Sequence, residues 1–392
     1  MTRLLLLALA AVISACAPSA RTGTSSAAPA DARDTLYYPP TGNWATRRAA
    51  EVGMDSAKLA AAVAFHLASE SNYLRDLGEQ VRLNTAREPY PEILGPTKPR
   101  TGANGVIIRR GYIVAEWGDT RQVDMTFSVS KSYLATTAGL AFDRGMIPDL
   151  HAPVSRLVRD GGFEGPHNSL ITWHMLLNQT SEWQGTLFDK PDVADRRRGR
   201  DRRLNAPGTF WEYNDVRVNR TALALLQVWQ RPLPQVLKEF VMDPIGASET
   251  WEWHGYRNSV VEIGGRRMAS VSGGGHWGGG VWASTRDHAR FGLLHLRRGR
   301  WGGRQLLSER WIDLATTPTE IRPVYGYMWW LNPGQAQYAS APATSFFALG
   351  AGGNVIWVDP EHDLVAVIRW TDTSKIDGFM ELVVDAIENN RS

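Results

Sequence analysis

Ser128 and Lys131 lie three residues apart in TFSVSKSYL (126–134), at the head of a stretch that reads as an amphipathic helix running to Ile147. Side chains at i and i+3 share a helix face, so the lysine amine can reach the serine hydroxyl. A serine hydroxyl is a poor nucleophile until a base takes its proton, and an amine desolvated in this position can be neutral enough to help. With Ser128 at the helix start, the unpaired N–H groups and the positive dipole end favour the negative charge that develops in acyl transfer. Six of the 43 Lys and Arg residues are lysine, and only Lys131 has a serine three residues before it. The same pair also suits a plainer role, with Ser128 capping the helix and Lys131 on its first turn at the surface.

Other chemistries lack their residues. There is no His-x-His-x-Asp-His or His-Glu-x-x-His array around His174, His276 or His288, so neither a metal nor any other cofactor is expected. GGGHWGGG (273–280) lacks the Gly-Lys-Ser/Thr ending of a phosphate loop and reads as a flexible loop at the edge of a site. Gly-x-Ser-x-Gly is absent, as is a Gly-x-Gly-x-x-G following a strand, which argues against an α/β-hydrolase and a dinucleotide enzyme. The 392 residues are 43% hydrophobic and 21% charged, enough for one large core or two lobes. The net charge of +3 is spread along the chain except for ADRRRGRDRR (194–203). That run reads as a solvated loop, because a nucleic-acid partner needs basic residues organised on one face.

The elements that would position the pair follow from periodicity and turn residues. Asp55 begins a helix with Leu59, Val63 and Leu67 on one face. GVIIRRGYIVAEWGD (105–119) reads as a hairpin turning at Arg110-Gly111, and GGNVIWVDPEHDLVAVIRW (352–370) as a second, turning at Asp359-Pro360. Between them lie a short helix in ITWHMLLNQTSEW (171–183), a helix in 214–230, and one entered at Ser284 or Thr285; a last helix spans 376–390. Strands near both ends imply a lobe built from 46–131 and 270–392, with a mostly helical lobe, 132–269, inserted.

MTRLLLLALAAVISACAPSA opens the chain with one positive charge, an apolar run from Leu4 to Ile13 and small residues. Residues 1–15 are therefore expected to be an export signal, too short to span a membrane. Ile13-Ser-Ala-Cys16 resembles the bacterial lipobox, and Cys16 is the only cysteine. Lipidation at Cys16 is the reading that explains it, with residues 16–45 as a flexible tether. Ala17 after the cysteine resembles outer-membrane sorting, so the expected location is the cell envelope, anchored by lipid and facing the periplasm.

Around Ser128 the sequence resembles the serine β-lactamase and penicillin-binding-protein superfamily, in its class C β-lactamase-like branch of esterases, D-amino-acid peptidases and 6-aminohexanoate-dimer hydrolases. FSVSKS, ITWHMLLNQTSEW, APGTFWEYNDVRVN (206–219), GGGVWASTRDHARFGLL and ALGAGGNVIWVDPEHDLVAVI follow the family order over roughly residues 45–390. The resemblance implies an α+β fold, an antiparallel sheet flanked by helices with an inserted helical lobe. It implies Ser128 as the acylated nucleophile and Lys131 and Tyr213 as proton-transfer partners, with the N–H groups of Ser128 and Gly353 as the oxyanion hole. Two departures stand out: Asp215 replaces the asparagine of Tyr-x-Asn, and Gly350-Ala351-Gly352 replaces the Lys-Thr-Gly or His-x-Gly of the third motif. Without a cation there, the carboxylate of a β-lactam has no evident partner. The expected substrate is thus a small ester, amide or peptide, contacted by Asp215, Gly350, Gly352, Trp183 and Trp277, with Trp211 and Trp282 nearby. The alternatives are a β-lactamase or D-alanyl peptidase, and a non-catalytic envelope binding protein.

Overall fold

The computed structural model describes residues 36–387, so the expected signal segment, Cys16 and most of the expected tether lie outside the described residues. The chain from Tyr37 builds a six-stranded antiparallel sheet. Its strands are β1 (Asn104–Arg109), β2 (Tyr112–Trp117), β6 (Trp330–Leu331), β7 (Phe346–Gly350), β8 (Asn354–Asp359) and β9 (Leu364–Arg369), in the order β6-β7-β8-β9-β1-β2. The register pairs Ile107 with Ala366 and Trp357 with Ala366 across β9, which ties the two ends of the chain together. The β1–β2 turn holds Arg110 at φ 53° and Gly111 at φ 88°, the left-handed pair that a two-residue hairpin requires.

These strands are almost unbroken apolar runs because both sheet faces are covered. Ile107, Trp357, Ala366 and Ile368 face the terminal helices α1 (Ser56–Ala68) and α7 (Ile376–Asp385). Val106, Ile108, Ile356, Val365 and Val367 face the opposite side, against α5 (Thr285–Leu296). Asp55 caps α1 as expected, but its buried face is Leu59, Ala62 and His66, while Leu67 is exposed. The His66 Nδ1 accepts from the Trp117 indole N–H at 2.8 Å, so a polar ring takes the place of the expected leucine.

On the α5 side lie α2 (Ser130–Asp143), α3 (Trp173–Leu177), α4 (Asp215–Trp229) and α6 (Glu309–Ala315). The segment 132–269 also carries most of a long hairpin, β3 (Glu252–Ile263) and β4 (Arg266–Val271), which joins β5 (Gly280–Ala283) in a second antiparallel sheet. The inserted lobe is thus less helical than its sequence suggests. The tether also ends earlier than residue 45. Trp44 is buried and donates to the Gly111 carbonyl at 2.7 Å, Tyr37 stacks on Tyr112, and Arg290 donates to the carbonyls of Pro39, Pro40 and Asn43.

The helix expected to be amphipathic is instead buried all round, from Ser130 to Ala141. Its approach to α6 depends on Gly139, where a Cβ would collide with the Trp311 indole. Gly139→Ala is therefore expected to cost about 1–3 kcal/mol through overpacking. Urea unfolding of the two proteins measures this, and an unchanged midpoint would show that α2 and α6 can part without loss.

Candidate active site

Ser128 is the only residue from Val123 to Ala141 that is not buried. It sits in a 3₁₀ turn, Phe127–Val129, that leads into α2. Phe127 holds φ 49°, a left-handed conformation unfavourable by about 1–2 kcal/mol for a residue with a side chain. The turn is pinned on both sides to β5: the Thr126 hydroxyl donates to the Val281 carbonyl at 2.7 Å, and the Val281 N–H donates to Ser130 Oγ at 2.8 Å. The Phe127 ring meets Tyr73 and Trp370 edge-on. Together these contacts outweigh the strain and turn Ser128 outward.

One helical turn on, Lys131 is fully buried and its Nζ donates to Ser128 Oγ at 3.0 Å. The same Nζ lies 2.5 Å from Asp215 Oδ1, at the first turn of α4, and 4.5 Å from the centre of the Tyr213 ring. Burial opposes the lysine charge, but Asp215 and then Tyr213 outweigh it, so the amine is held above the ordinary lysine pKa. Burial likewise favours a neutral Asp215, and Lys131, His276 and Arg197 overcome it to keep the carboxyl below the ordinary aspartate range. The pair is ionised. Lys131 is thus a hydrogen-bond donor to Ser128, where the sequence suggests an amine neutral enough to act as a base. Gly274 makes room for it, since a Cβ there would strike both Asp215 Oδ2 and Lys131 Nζ.

Tyr213 is set by the polar turn that follows α3. The Gln179 side chain accepts from the Asn214 N–H at 2.9 Å and donates to the Tyr325 hydroxyl at 2.7 Å. Tyr213 thereby joins Trp211, Tyr325 and Trp330 in an aromatic box with ring centres 5.0–6.2 Å apart. Asp195 accepts from the Asp215 N–H at 2.7 Å and pairs with Arg197 at 2.9 Å, whose guanidinium lies 4.9 Å from the Tyr213 ring centre. Glu182, from the same polar turn, fixes the arginine-rich loop. Burial would raise its pKa, but hydrogen bonds from Arg202 and the charge of Arg217 bring it down to about 2.

Ser128 opens onto a cleft of about 980 Å³. Gly350, Tyr213 and Trp211 border it, as expected, and so does Ala351. Gly352 and Gly353 do not. Gly352 packs on Trp370 and Tyr73, and Gly353 lies against the Thr371 backbone, from which its carbonyl accepts at 3.2 Å. Trp183 and Trp277 do not border the cleft either: the Trp183 indole N–H donates to the Gly162 carbonyl at 2.6 Å, and that of Trp277 supports the cleft residue Glu88 from behind at 3.1 Å. Trp282 is buried against His254. Asp215 lies beneath Lys131 and does not border the cleft, so its position is that of a counter-ion to the lysine and not of a substrate contact.

Several cleft residues escape a reading from sequence alone. Trp330 and Arg322 arrive from a segment without recognisable motif. His276 pairs with Glu88 at 2.7 Å; burial opposes its charge, but Asp195, Glu88 and Asp215 raise its pKa. The arginine run supplies Arg196, Arg197, Arg198 and Arg200 to the cleft wall. It is not simply a solvated loop. The cleft thus carries arginines although Gly350 offers no cation, and their one signal in the sequence is the density of arginine.

A family model described as Beta-lactamase matches residues 97–382. An uncharacterized protein of Alkalihalophilus pseudofirmus is 24% identical over 314 residues, 71% of this chain and 86% of that one. Among solved structures, a beta-lactamase from Mycobacterium bovis is similar with a TM-score of 0.52 and 22% identity, over 73% of this chain and 93% of the other. EstCE1, a hydrolase with promiscuous acyltransferase activity, is similar with a TM-score of 0.53 and 16% identity, over 79% and 97%. At such identities the two structures establish the fold.

The ion pair has a testable consequence. Replacing Asp215 by Asn removes the charge that outweighs burial, so the pKa of Lys131 falls. The alkaline limb of the pH profile for modification of Ser128 by a fluorophosphonate should move down by about one unit or more. An unmoved limb would show that Asp215 does not hold the Lys131 proton.

Proposed function

Because the chain belongs to the beta-lactamase family, we propose that it is a serine hydrolase that cleaves an ester or small amide through an acyl-enzyme on Ser128. The observation that carries this reading is the partly exposed Ser128 hydroxyl 3.0 Å from a buried, charge-paired Lys131, in the lining of a cleft. Ser128 Oγ attacks the substrate carbonyl and its proton passes to the Tyr213 oxygen, which acts as a phenolate beside the Lys131 ammonium. Lys131, already protonated, stays as the donor that orients Oγ and as a counter-charge beside the ring, with Arg197 on the cleft side. The carbonyl oxygen becomes an oxyanion held by the N–H of Ser128 and a second N–H from the end of β7. Ala351, which borders the cleft, suits that second role better than Gly353. Collapse breaks the bond to the leaving oxygen or nitrogen, which takes the proton back from Tyr213. Water then repeats the sequence on the acyl carbon and frees Ser128.

The aromatic box of Trp211, Tyr213, Tyr325 and Trp330 supports an apolar acyl or leaving group. A β-lactamase or D-alanyl peptidase is the second reading, and the arginines of the cleft wall favour it by offering a carboxylate a partner.

Incubation with a fluorophosphonate followed by mass spectrometry should give one adduct on the Ser128 peptide, absent in Ser128→Ala. The same substitution should lower hydrolysis of p-nitrophenyl esters by about 10³-fold or more. Rapid hydrolysis of nitrocefin with poor turnover of the esters would favour the second reading. An unlabelled protein that turns over neither would identify a binding protein.

A further inference from the structure

The cleft contains more positive charge than its own carboxylates neutralise. Three acidic side chains border it, and each is already engaged: Glu88 with His276 at 2.7 Å, Asp195 with Arg197 at 2.9 Å, and Glu212 with Arg202 at 3.0 Å. Arg196 is taken by Asp192 at 2.5 Å. That leaves Arg198, Arg200 and Arg322, for which no carboxylate lies within 4.0 Å among the described residues.

Two of these are held in place without an anion. The Arg198 guanidinium lies 5.3 Å from the centre of the Trp211 ring, and that of Arg322 lies 5.1 Å from it. Trp211 itself is buried in the box with Tyr213. A guanidinium over an indole face is attracted by the ring while its N–H edges stay free to donate. The wall also holds two donors with no acceptor. The Nε–H of Arg322 and the indole N–H of Trp211 are both shielded from solvent and unpaired among the described residues.

We propose that the arginines around Trp211 select a substrate carrying a carboxylate, held by Arg198 and Arg322 while its ester or amide carbonyl reaches Ser128. Arg200, further along the same loop, adds to the attraction. The proposal rests on the hydrolase reading for its chemistry, but binding of the carboxylate does not require turnover. Three uncompensated cations in one concave wall raise the local concentration of an anion, and the planar fork of arginine matches a carboxylate through two hydrogen bonds. A volume of about 980 Å³ leaves room for a charged group beyond the scissile bond.

The test uses the full chain and two pairs of esters, because the carboxylate can sit on either side of the scissile bond. One pair is mono-4-nitrophenyl glutarate and 4-nitrophenyl pentanoate; the other is 3-(butanoyloxy)benzoate and phenyl butanoate. The anionic member of at least one pair should have a kcat/KM at least about tenfold higher, since each tenfold is the scale of one good charge-assisted contact. That ratio should fall by about tenfold in Arg198→Gln/Arg322→Gln, with part of it retained in Arg322→Lys. Equal turnover within both pairs, or a preference that the double variant leaves unchanged, overturns the proposal. A second arm separates it from the hydrolase reading. In Ser128→Ala, tryptophan fluorescence should report saturable binding of hippurate but not of hippuramide, lost with the two arginines. If no ester is cleaved and Ser128 takes no fluorophosphonate, selective hippurate binding still supports the anion site, and its absence contradicts it.

Discussion

The buried ion pair between Lys131 and Asp215 is the constraint on which the rest of the site depends. Two charges out of water each carry a desolvation cost of several kcal/mol, and their attraction offsets it only with close geometry and few competing partners. The 2.5 Å separation, the Asp195 carboxylate accepting from the Asp215 backbone N–H, and Gly274 packed against both groups meet that demand. Because Lys131 belongs to α2 and Asp215 to α4, the pair fixes the separation of two helices as well as two charges. Ser128, on the turn before α2, and Tyr213, just before α4, are both carried by this single contact.

The asparagine expected at position 215 would leave Lys131 with a neutral partner and an easily lost proton. An aspartate keeps the amine charged, which divides the labour of the site. Lys131 donates to Ser128 and stands beside Tyr213, so in the proposed mechanism the proton that leaves the serine goes elsewhere. Arg197, itself tied to Asp195, approaches the Tyr213 ring from the cleft side. The network therefore runs from Lys131 through two carboxylates, Asp215 and Asp195, to Arg197, with two charges of each sign. The positive charge it does not absorb appears in the outer wall around Trp211.

Much of the fold can be read in the amino-acid sequence, and the reason is burial. β1, β8 and β9 are covered on both faces, so VII, VIWV and LVAVI are continuous apolar runs. α2 misleads because its serines, threonines and lysine resemble a polar face. In the structure each finds an internal partner: Ser130 with the Val281 N–H, Ser132 with the Met328 carbonyl, Thr136 and Thr137 with carbonyls of their own helix, and Lys131 with Asp215. Ser128 and Lys131 were legible from their spacing, and Tyr213 from the order of family segments. Which tryptophan faces the cleft was not, since the Trp183 and Trp277 N–H groups are received by Gly162 and Glu88, distant in sequence, while that of Trp211 has no acceptor among the described residues. The arginine run was opaque in part for the same reason: Asp192 and Asp195 are local partners, but Glu182 and Glu212, brought there by tertiary structure, also decide which of its guanidinium groups remain free.

The protonation state of Lys131 is the most direct measure of this account. With only six lysines in the chain, ¹⁵N-lysine labelling and side-chain NMR can follow each Nζ, the Lys131 signal being the one absent in Lys131→Met. The account predicts an ammonium at Lys131 throughout the neutral range, losing its proton above the ordinary lysine value, because Asp215 outweighs burial. A neutral amine at Lys131 near neutral pH would contradict it, and would return the role of base to the lysine.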